Sequence, residues 1–157
     1  MDQIWAPWRI AYIEMAKPKG CILCEKPGEN SDATNYILYR GETNFIIINS
    51  YPYNAGHLMI APYQHVASLE GLADAELHEH FEIVRQSIRV LREIFNPDGF
   101  NIGINTGKVA GAGIDGHVHT HVVPRWQGDT NFMPVISDTK VINESLAATY
   151  TKLKGKF

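Results

Sequence analysis

Three histidines recur at every second position near the middle of the C-terminal half. His117, His119 and His121 alternate there with Val118 and Thr120. Alternate side chains of a β-strand project from one face, so the imidazoles would form a row with neighbours roughly 6.5–7 Å apart. If all three were structural, each buried ring would need its own hydrogen-bonding partner. The row therefore predicts a site built from imidazoles, acting as metal ligands, as a nucleophile or as acid–base groups.

A glycine-rich loop precedes the histidine row. It contains Gly107, Gly111 and Gly113, with Lys108 beside the first of them. Glycine lets backbone N–H groups approach an anion closely, and the lysine adds a positive charge. Such loops often serve only as connections. Beside a row of histidines, this one predicts contact with phosphate.

Five short apolar segments and one long amphipathic segment must position these residues. Strands are predicted over residues 36–39, 45–48, 57–61, 100–105 and 118–123. A long helix lies between the third and fourth, because apolar residues recur there at spacings of three and four: Leu77, Phe81, Val84, Ile88, Leu91 and Phe95. His78 and His80 lie off this stripe, and we expect both to be exposed and without a role. The pattern predicts an α+β fold with a mostly antiparallel sheet of about five strands.

The chain length of 157 residues fits one domain. We expect a single domain over 1–157, with an irregular N-terminal arm over 1–34, a core over 35–126 and a C-terminal extension over 127–157. Closely spaced prolines and glycines suggest the irregular arm. Residues 141–153 in the extension predict a short C-terminal helix.

Composition and charge exclude several classes of partner. The net charge of −3 leaves no general basic surface for nucleic acid or anionic membrane. The apolar runs are too short to span a bilayer, and the first residues lack the pattern of a signal peptide. The two cysteines do not suggest a secreted disulfide framework. We therefore expect a cytoplasmic protein with no membrane or nucleic-acid partner, in which a locally positive site can still bind a small anion.

The segment from His117 to Val123 resembles the signature of the histidine-triad (HIT) superfamily. That signature is His-x-His-x-His followed by two apolar residues, and it is matched here except that Thr120 is polar where an apolar residue is usual. Asn49 and His57 have the spacing of the family's ribose-contacting residue and its fourth histidine. The flanks at residues 4–9 and 124–132 are similar to a bacterial and archaeal branch often described as ATP adenylyltransferase or diadenosine-tetraphosphate phosphorylase.

The resemblance implies a HIT-like fold, an adenine nucleotide substrate and a homodimer. It makes His119 the nucleophile that attacks an α-phosphorus, while His121 and His57 complete the catalytic group. A neutral imidazole can attack phosphorus when an acceptor holds its other nitrogen. Asn49 and Asn105, with Gly107, Gly111 and Gly113, correspond to substrate-binding positions. This loop is one residue longer than in the small hydrolases of the family, and Gly113 or Ile114 stands where many members have serine or threonine.

Cys21 and Cys24 have the spacing of a metal-binding pair. They are either reduced thiols in a turn or half of a tetrahedral zinc site, which needs two more ligands. Family members with such a pair complete the site with a histidine after the third strand and with the first histidine of the row. The resemblance therefore implies a structural zinc held by Cys21, Cys24, His65 and His117.

Several functions remain open at this point. The favoured hypothesis is an enzyme that forms a nucleotidyl-histidine and resolves it with phosphate, and the alternative resolves it with water. A metallohydrolase with catalytic zinc on the histidine row is a rival, and so is a non-catalytic binding module stabilised by zinc.

Overall fold

The computed structural model describes residues 20–130 and 141–157. Two short helices, α1 (Ile22–Gly28) and α2 (Asp32–Asn35), precede the first strand. The strands are β1 (Ile37–Arg40), β2 (Asn44–Ile48), β3 (Leu58–Pro62), β4 (Gly99–Ile104) and β5 (Thr120–Arg125). The long helix α3 (Asp74–Phe95) connects β3 to β4, and α4 (Leu146–Leu153) lies near the end of the chain. None of the helices in these two ranges is long and apolar enough to cross a membrane.

The five strands form one antiparallel sheet in the order β1-β2-β3-β5-β4. Strand β5 therefore lies between β3 and β4. Thr120 pairs with Ile60 on one side and with Ile104 on the other, and His121 pairs with Met59 and with Gly103. This register confirms the predicted α+β fold and fixes the C-terminal part of the histidine row inside the sheet.

Each face of the sheet is covered by its own apolar cluster. Helices α3 and α4 cover one face, where the buried residues are Ile46, Ile48, Leu58, Ile60, Ile83, Val84, Val90, Leu91, Val122 and Leu153. The other face carries a smaller cluster of Leu23, Ile37, Phe45, Ile47, Met59 and Ala61, to which α1 contributes Leu23. Because strand residues alternate between faces, Thr120 and Val122 face α3 whereas His121 lies on the opposite face.

The prediction of an irregular arm over residues 1–34 is wrong for its described part, because Ile22–Gly28 and Asp32–Asn35 are helical. Pro27 lies near the end of α1, where it interrupts few of the helical hydrogen bonds. Leu23 is fully buried in the smaller cluster. Packing of Leu23 thus stabilises a helix that Pro27 and Gly28 argue against. Residues 1–19 lie outside the described ranges.

The buried face of α3 differs from the predicted stripe. Val84 and Leu91 are buried as expected, but Phe81 is 46% exposed. The buried set also contains two polar residues, His80 and Ser87, which a search for apolar residues passes over. His78 is exposed as predicted. The expectation that His80 is exposed is wrong, since none of its surface is accessible to solvent.

Candidate active site

His119 immediately precedes β5 and is 4% exposed. Its ring Nδ1 lies 2.9 Å from the backbone oxygen of His117. A carbonyl oxygen can only accept a hydrogen bond, so Nδ1 carries the proton and donates it. The neutral His119 ring therefore has its lone pair on Nε2, which is the form required of a nucleophile.

Burial keeps His119 in this neutral form. It lowers the pKa of His119, and the hydrogen bond to the carbonyl of His117 opposes that effect only partly. No buried side-chain nitrogen in the described parts of the chain lacks a partner. His119 Nε2 has no hydrogen bond to a described residue, so it is not one of these buried nitrogens. It is therefore accessible at the surface of the site, with its lone pair available.

A second chain of hydrogen bonds fixes the ring orientations of His57 and His121. The backbone N–H of Tyr53 donates to His57 Nδ1 over 3.0 Å, which makes that nitrogen an acceptor. His57 then carries its proton on Nε2 and donates to His121 Nδ1 over 2.9 Å. In the neutral ring of His121 the proton must therefore lie on Nε2.

The catalytic group predicted from sequence is assembled in one place. The ring centroids of His119 and His121 are 4.8 Å apart, and those of His57 and His121 are 5.1 Å apart. Burial lowers the pKa of His57 to about 3, and the neighbouring rings of His121 and His119 add to this effect. Tyr53 packs on the same group, with its ring centroid 4.6 Å from that of His57.

Asn49 lies beside this group at the end of β2. Its side-chain oxygen accepts the backbone N–H of Tyr51 over 2.9 Å, and its amide nitrogen is 3.4 Å from His57 Nδ1. The backbone N–H of Asn49 also donates to the carbonyl of His57 over 3.0 Å. The residue predicted to contact a ribose is thus held next to the histidines predicted to be catalytic.

The glycine loop begins opposite His119. Ile104 pairs with Thr120, so the next residue, Asn105, continues the chain beside His119. Gly107 and Gly111 have positive φ of 81° and 86°, which favours glycine at both positions, whereas Gly113 does not share this conformation. Lys108 is 3.7 Å from the carboxylate of Asp115, so its charge is partly compensated within the loop.

Cys21, Cys24, His65 and His117 form a cluster whose potential ligand atoms all lie within 4.8 Å of one another. His117 Nδ1 is 3.3 Å from Cys21 Sγ and 3.4 Å from Cys24 Sγ, and His65 Nδ1 is 3.3 Å from Cys24 Sγ. Zinc bonds of about 2.3 Å to sulfur and 2.0 Å to nitrogen at tetrahedral angles place such ligands roughly 3.5 Å apart. The four side chains therefore have the types and the spacing of a closed tetrahedral zinc site.

The three histidines of the row point to different partners rather than to one ion. The ring of His117 faces the cysteine pair, and its Nε2–H donates to the carbonyl of Pro62 over 2.8 Å. His119 bonds the carbonyl of His117, and His121 bonds His57. This divergence argues against the metallohydrolase hypothesis, in which the row would converge on one metal.

Sequence reasoning missed three contributors to the site. The carbonyl of Pro62 and the N–H of Tyr53 are backbone groups, and no residue type signals them. Thr120, the third, is buried and bonds His80 on α3. The sequence did offer one sign of this contact, because Thr120 is polar at a position of the signature where an apolar residue is usual.

Comparisons with known proteins identify the family of this chain. The family described as HIT domain matches residues 30–128, which is more than half of the chain. The chain belongs to the HIT family.

Relatives of this HIT chain carry the names of enzymes. It is 38% identical over 157 aligned residues to "AP-4-A phosphorylase" of Mycobacterium tuberculosis (strain CDC 1551 / Oshkosh), covering 95% of this chain and 80% of the relative. It is 31% identical to a "Bis(5'-nucleosyl)-tetraphosphatase [asymmetrical]" of Schizosaccharomyces pombe, covering 73% and 63%. A crystal structure described as a Zn-bound histidine triad family protein from Mycobacterium smegmatis shares the fold, with a TM-score of 0.69 at 23% identity over 87% of this chain and 92% of that one.

We predict that acid destabilises this HIT protein through His57. Its pKa of about 3 in the folded chain lies below the 6.5 of an exposed histidine, so the unfolded chain is protonated first as the pH falls. The stability associated with neutral His57 is complete above pH 6.5 and falls by about 1.4 kcal/mol per pH unit on the way to pH 3. Urea unfolding at pH 7 and pH 5 should show a smaller loss of stability in His57→Gln than in wild type.

The exposed His78→Gln serves as the control and should retain the pH dependence of the wild type. An equal loss of stability in wild type and His57→Gln would contradict the neutral burial of His57.

Proposed function

We propose that this HIT chain transfers an adenylyl group from an adenosine polyphosphate through a covalent intermediate on His119, with inorganic phosphate as the final acceptor. The hydrogen bond from His119 Nδ1 to the carbonyl of His117 supports this most directly, because it leaves the lone pair on Nε2. The similarity to a relative named AP-4-A phosphorylase supports diadenosine tetraphosphate as the substrate.

The first step forms a bond between His119 Nε2 and the α-phosphorus. The bond between that phosphorus and the bridging oxygen breaks, and ATP leaves as an anion that needs no proton from the protein. The ring then carries a positive charge, which the carbonyl of His117 stabilises through Nδ1–H. In the second step a phosphate oxygen attacks the same phosphorus, ADP is released and the lone pair returns to Nε2.

His121 and the glycine loop would stabilise the negative charge on the non-bridging oxygens. Neutral His121 has its proton on Nε2, because Nδ1 accepts from His57. The backbone N–H groups near Gly107 and Gly111 would add donors next to His119. Asn49 would hold the ribose, and Asn105 would contact the phosphate chain. Water in place of phosphate gives the alternative function, a HIT-type hydrolase, to which the similarity with the named tetraphosphatase corresponds.

We also propose that the cluster of Cys21, Cys24, His65 and His117 holds a structural zinc. A site closed by four protein ligands leaves no position for substrate or water. The Nε2–H bond of His117 to Pro62 turns its Nδ1 toward the cysteines, as an outer hydrogen bond does in metal sites. Zinc would supply rigidity at His117, whose carbonyl orients His119.

We further propose that a second copy of the chain covers the exposed apolar surface near β4, forming a homodimer. In the described ranges β4 pairs only with β5 and so lies at the edge of the sheet. Ile102 on this strand and Phe81 on α3 are each 46% exposed. An unpaired strand edge beside exposed apolar side chains is typical of an association surface.

For the activity, we predict that wild type converts diadenosine tetraphosphate to ADP and ATP only when phosphate is present. His119→Ala should lower kcat by about 10³-fold or more, because no other group can take the place of the nucleophile. Product analysis with and without phosphate, and trapping of an acid-labile nucleotide on the protein, measure the two steps.

The exposed His78→Ala is the control and should turn over like wild type. AMP and ATP in the presence of phosphate would indicate the hydrolase instead. Full activity in His119→Ala would contradict the covalent mechanism, and the absence of turnover and of trapped nucleotide in wild type would favour the binding module.

For the metal, we predict one zinc per chain by elemental analysis, and loss of that zinc in Cys24→Ala. Removal of zinc should lower the melting temperature, because the metal connects α1 to the segment that carries His117. The substitution His78→Ala, which changes a histidine outside the cluster, should leave the zinc content unchanged. Full zinc content in Cys24→Ala would contradict the proposed ligand set.

For the assembly, we predict a dimer mass by light scattering at micromolar concentration and a monomer mass for Ile102→Lys. Val141→Lys, which adds the same charge at another exposed apolar position, is the control and should remain dimeric. A monomeric wild type, or a dimeric Ile102→Lys, would exclude this surface.

A further inference from the structure

A chain of buried polar side chains runs from β5 to the N-terminal half of α3. The hydroxyl of Thr120 lies 2.7 Å from His80 Nε2, and His80 Nδ1 lies 2.8 Å from the side-chain oxygen of Asn44. All three residues are at most 1% exposed. Asn44 also reaches the carboxylate of Glu79, and we call these four residues the buried polar chain.

The direction of every hydrogen bond in the buried polar chain is determined. The amide nitrogen of Asn44 faces three acceptors, namely Thr43 Oγ1, the carbonyl of Glu76 and Glu79 Oε2, at 2.9, 3.0 and 3.1 Å. Its oxygen must therefore face His80 and accept from Nδ1–H. His80 Nε2 is left as an acceptor, so the hydroxyl of Thr120 donates to it.

Glu79 anchors the far end of this chain. Its carboxylate accepts the backbone N–H groups of Glu42 and Thr43 over 2.6 and 2.7 Å, and also the hydroxyl of Thr43. The turn between β1 and β2 fits closely around it, since a Cβ on Gly41 would lie 2.6 Å from Glu79 Oε1. The buried polar chain thus begins at a fixed point outside the catalytic group.

Its other end lies between the catalytic histidines. Thr120 separates His119 from His121, and its side chain is on the α3 face, where it cannot contact a substrate on theirs. Apolar residues at both Thr120 and His80 would pack together without a directional bond, and such replacement of a whole buried polar pair often costs no stability. Stability alone therefore does not account for a hydrogen-bonded pair here, whereas a fixed distance between β5 and α3 does.

We propose that the hydrogen bond from Thr120 to His80 is a positioning contact, which sets the location of the segment that carries His119 and His121. Thr120 and His80 are positioning residues, because they act through their neighbours. The effect on turnover rests on the proposed function, whereas the hydrogen-bond arrangement does not.

Thr120→Val tests the role of the hydroxyl, because valine has nearly the same shape. We expect kcat for diadenosine tetraphosphate to fall about tenfold with KM within twofold of wild type, since small displacements of reacting groups reduce rates steeply. Thr120→Ser keeps the hydroxyl and should retain kcat within about twofold. An unchanged kcat in Thr120→Val, or an equal loss in Thr120→Ser, would overturn the proposal.

Ser87→Ala is the matched control, because Ser87 lies on α3, the helix that carries His80. Ser87 is fully buried, but its hydroxyl bonds only the carbonyl of Ile83 within α3. Its removal should lower the melting temperature without lowering kcat. A loss of kcat in Ser87→Ala equal to that in Thr120→Val would show that loss of any buried hydroxyl in this region lowers kcat, and would overturn a specific role for Thr120.

Imidazole ¹⁵N NMR at pH 7 gives a readout that does not depend on activity. His80 should be neutral, with the proton on Nδ1 and none on Nε2, and the signals of His119 and His121 should shift in Thr120→Val. A proton on His80 Nε2, or unshifted signals, would overturn the proposal. If wild type lacks turnover, the proposed function fails while these signals still decide the positioning contact.

Discussion

The site depends on one hydrogen bond, from His119 Nδ1 to the carbonyl of His117 over 2.9 Å. It selects one of the two neutral tautomers and so decides which ring nitrogen carries the lone pair. It also explains why β5 begins at Thr120 rather than at Val118 as the alternation predicts. The carbonyl of His117 accepts from a side chain, and the N–H of Val118 donates to the carbonyl of Val66 over 2.7 Å, outside the sheet. The proposed nucleophile, His119, therefore lies just before the segment that pairs within the sheet.

His117 connects this bond to the rest of the fold through two different groups. Its ring belongs to the cluster with Cys21, Cys24 and His65, while its carbonyl holds His119. The ring also bonds Pro62, which pairs with Asn44 across β2 and β3. Asn44 is itself part of the buried polar chain. The same end of β2 and β3 thus contacts His117, which holds His119, on one face of the sheet and connects to Thr120 on the other.

Most of the sheet is predicted from the sequence pattern, because alternation of side chains is a local property, whereas His57 joins the proposed catalytic group only through the resemblance to the HIT family. The predicted and observed bounds of each strand agree within two residues. The rings of His119 and His121 lie beside each other, as their spacing predicts. The expectations that failed depended on tertiary contacts. Leu23 stabilises a helix that Pro27 and Gly28 disfavour locally, and the partners that allow His80 to be buried come from β2 and β5. A pattern that counts apolar residues cannot detect a buried histidine whose ring nitrogens are both satisfied.

The neutrality of the histidines suits attack on an anion. Burial lowers the pKa of His57 to about 3 and that of His80 to about 4, and it lowers the pKa of His119 as well. A cluster of cations would bind a polyphosphate strongly before reaction, and such uniform binding does not lower the barrier of the chemical step. Neutral donors interact more strongly as charge develops on the oxygens, and in the proposed mechanism the ring of His119 becomes cationic only after its bond to phosphorus forms. Positive charge then appears at the reacting atom itself, which is where it favours the transition state over the bound substrate.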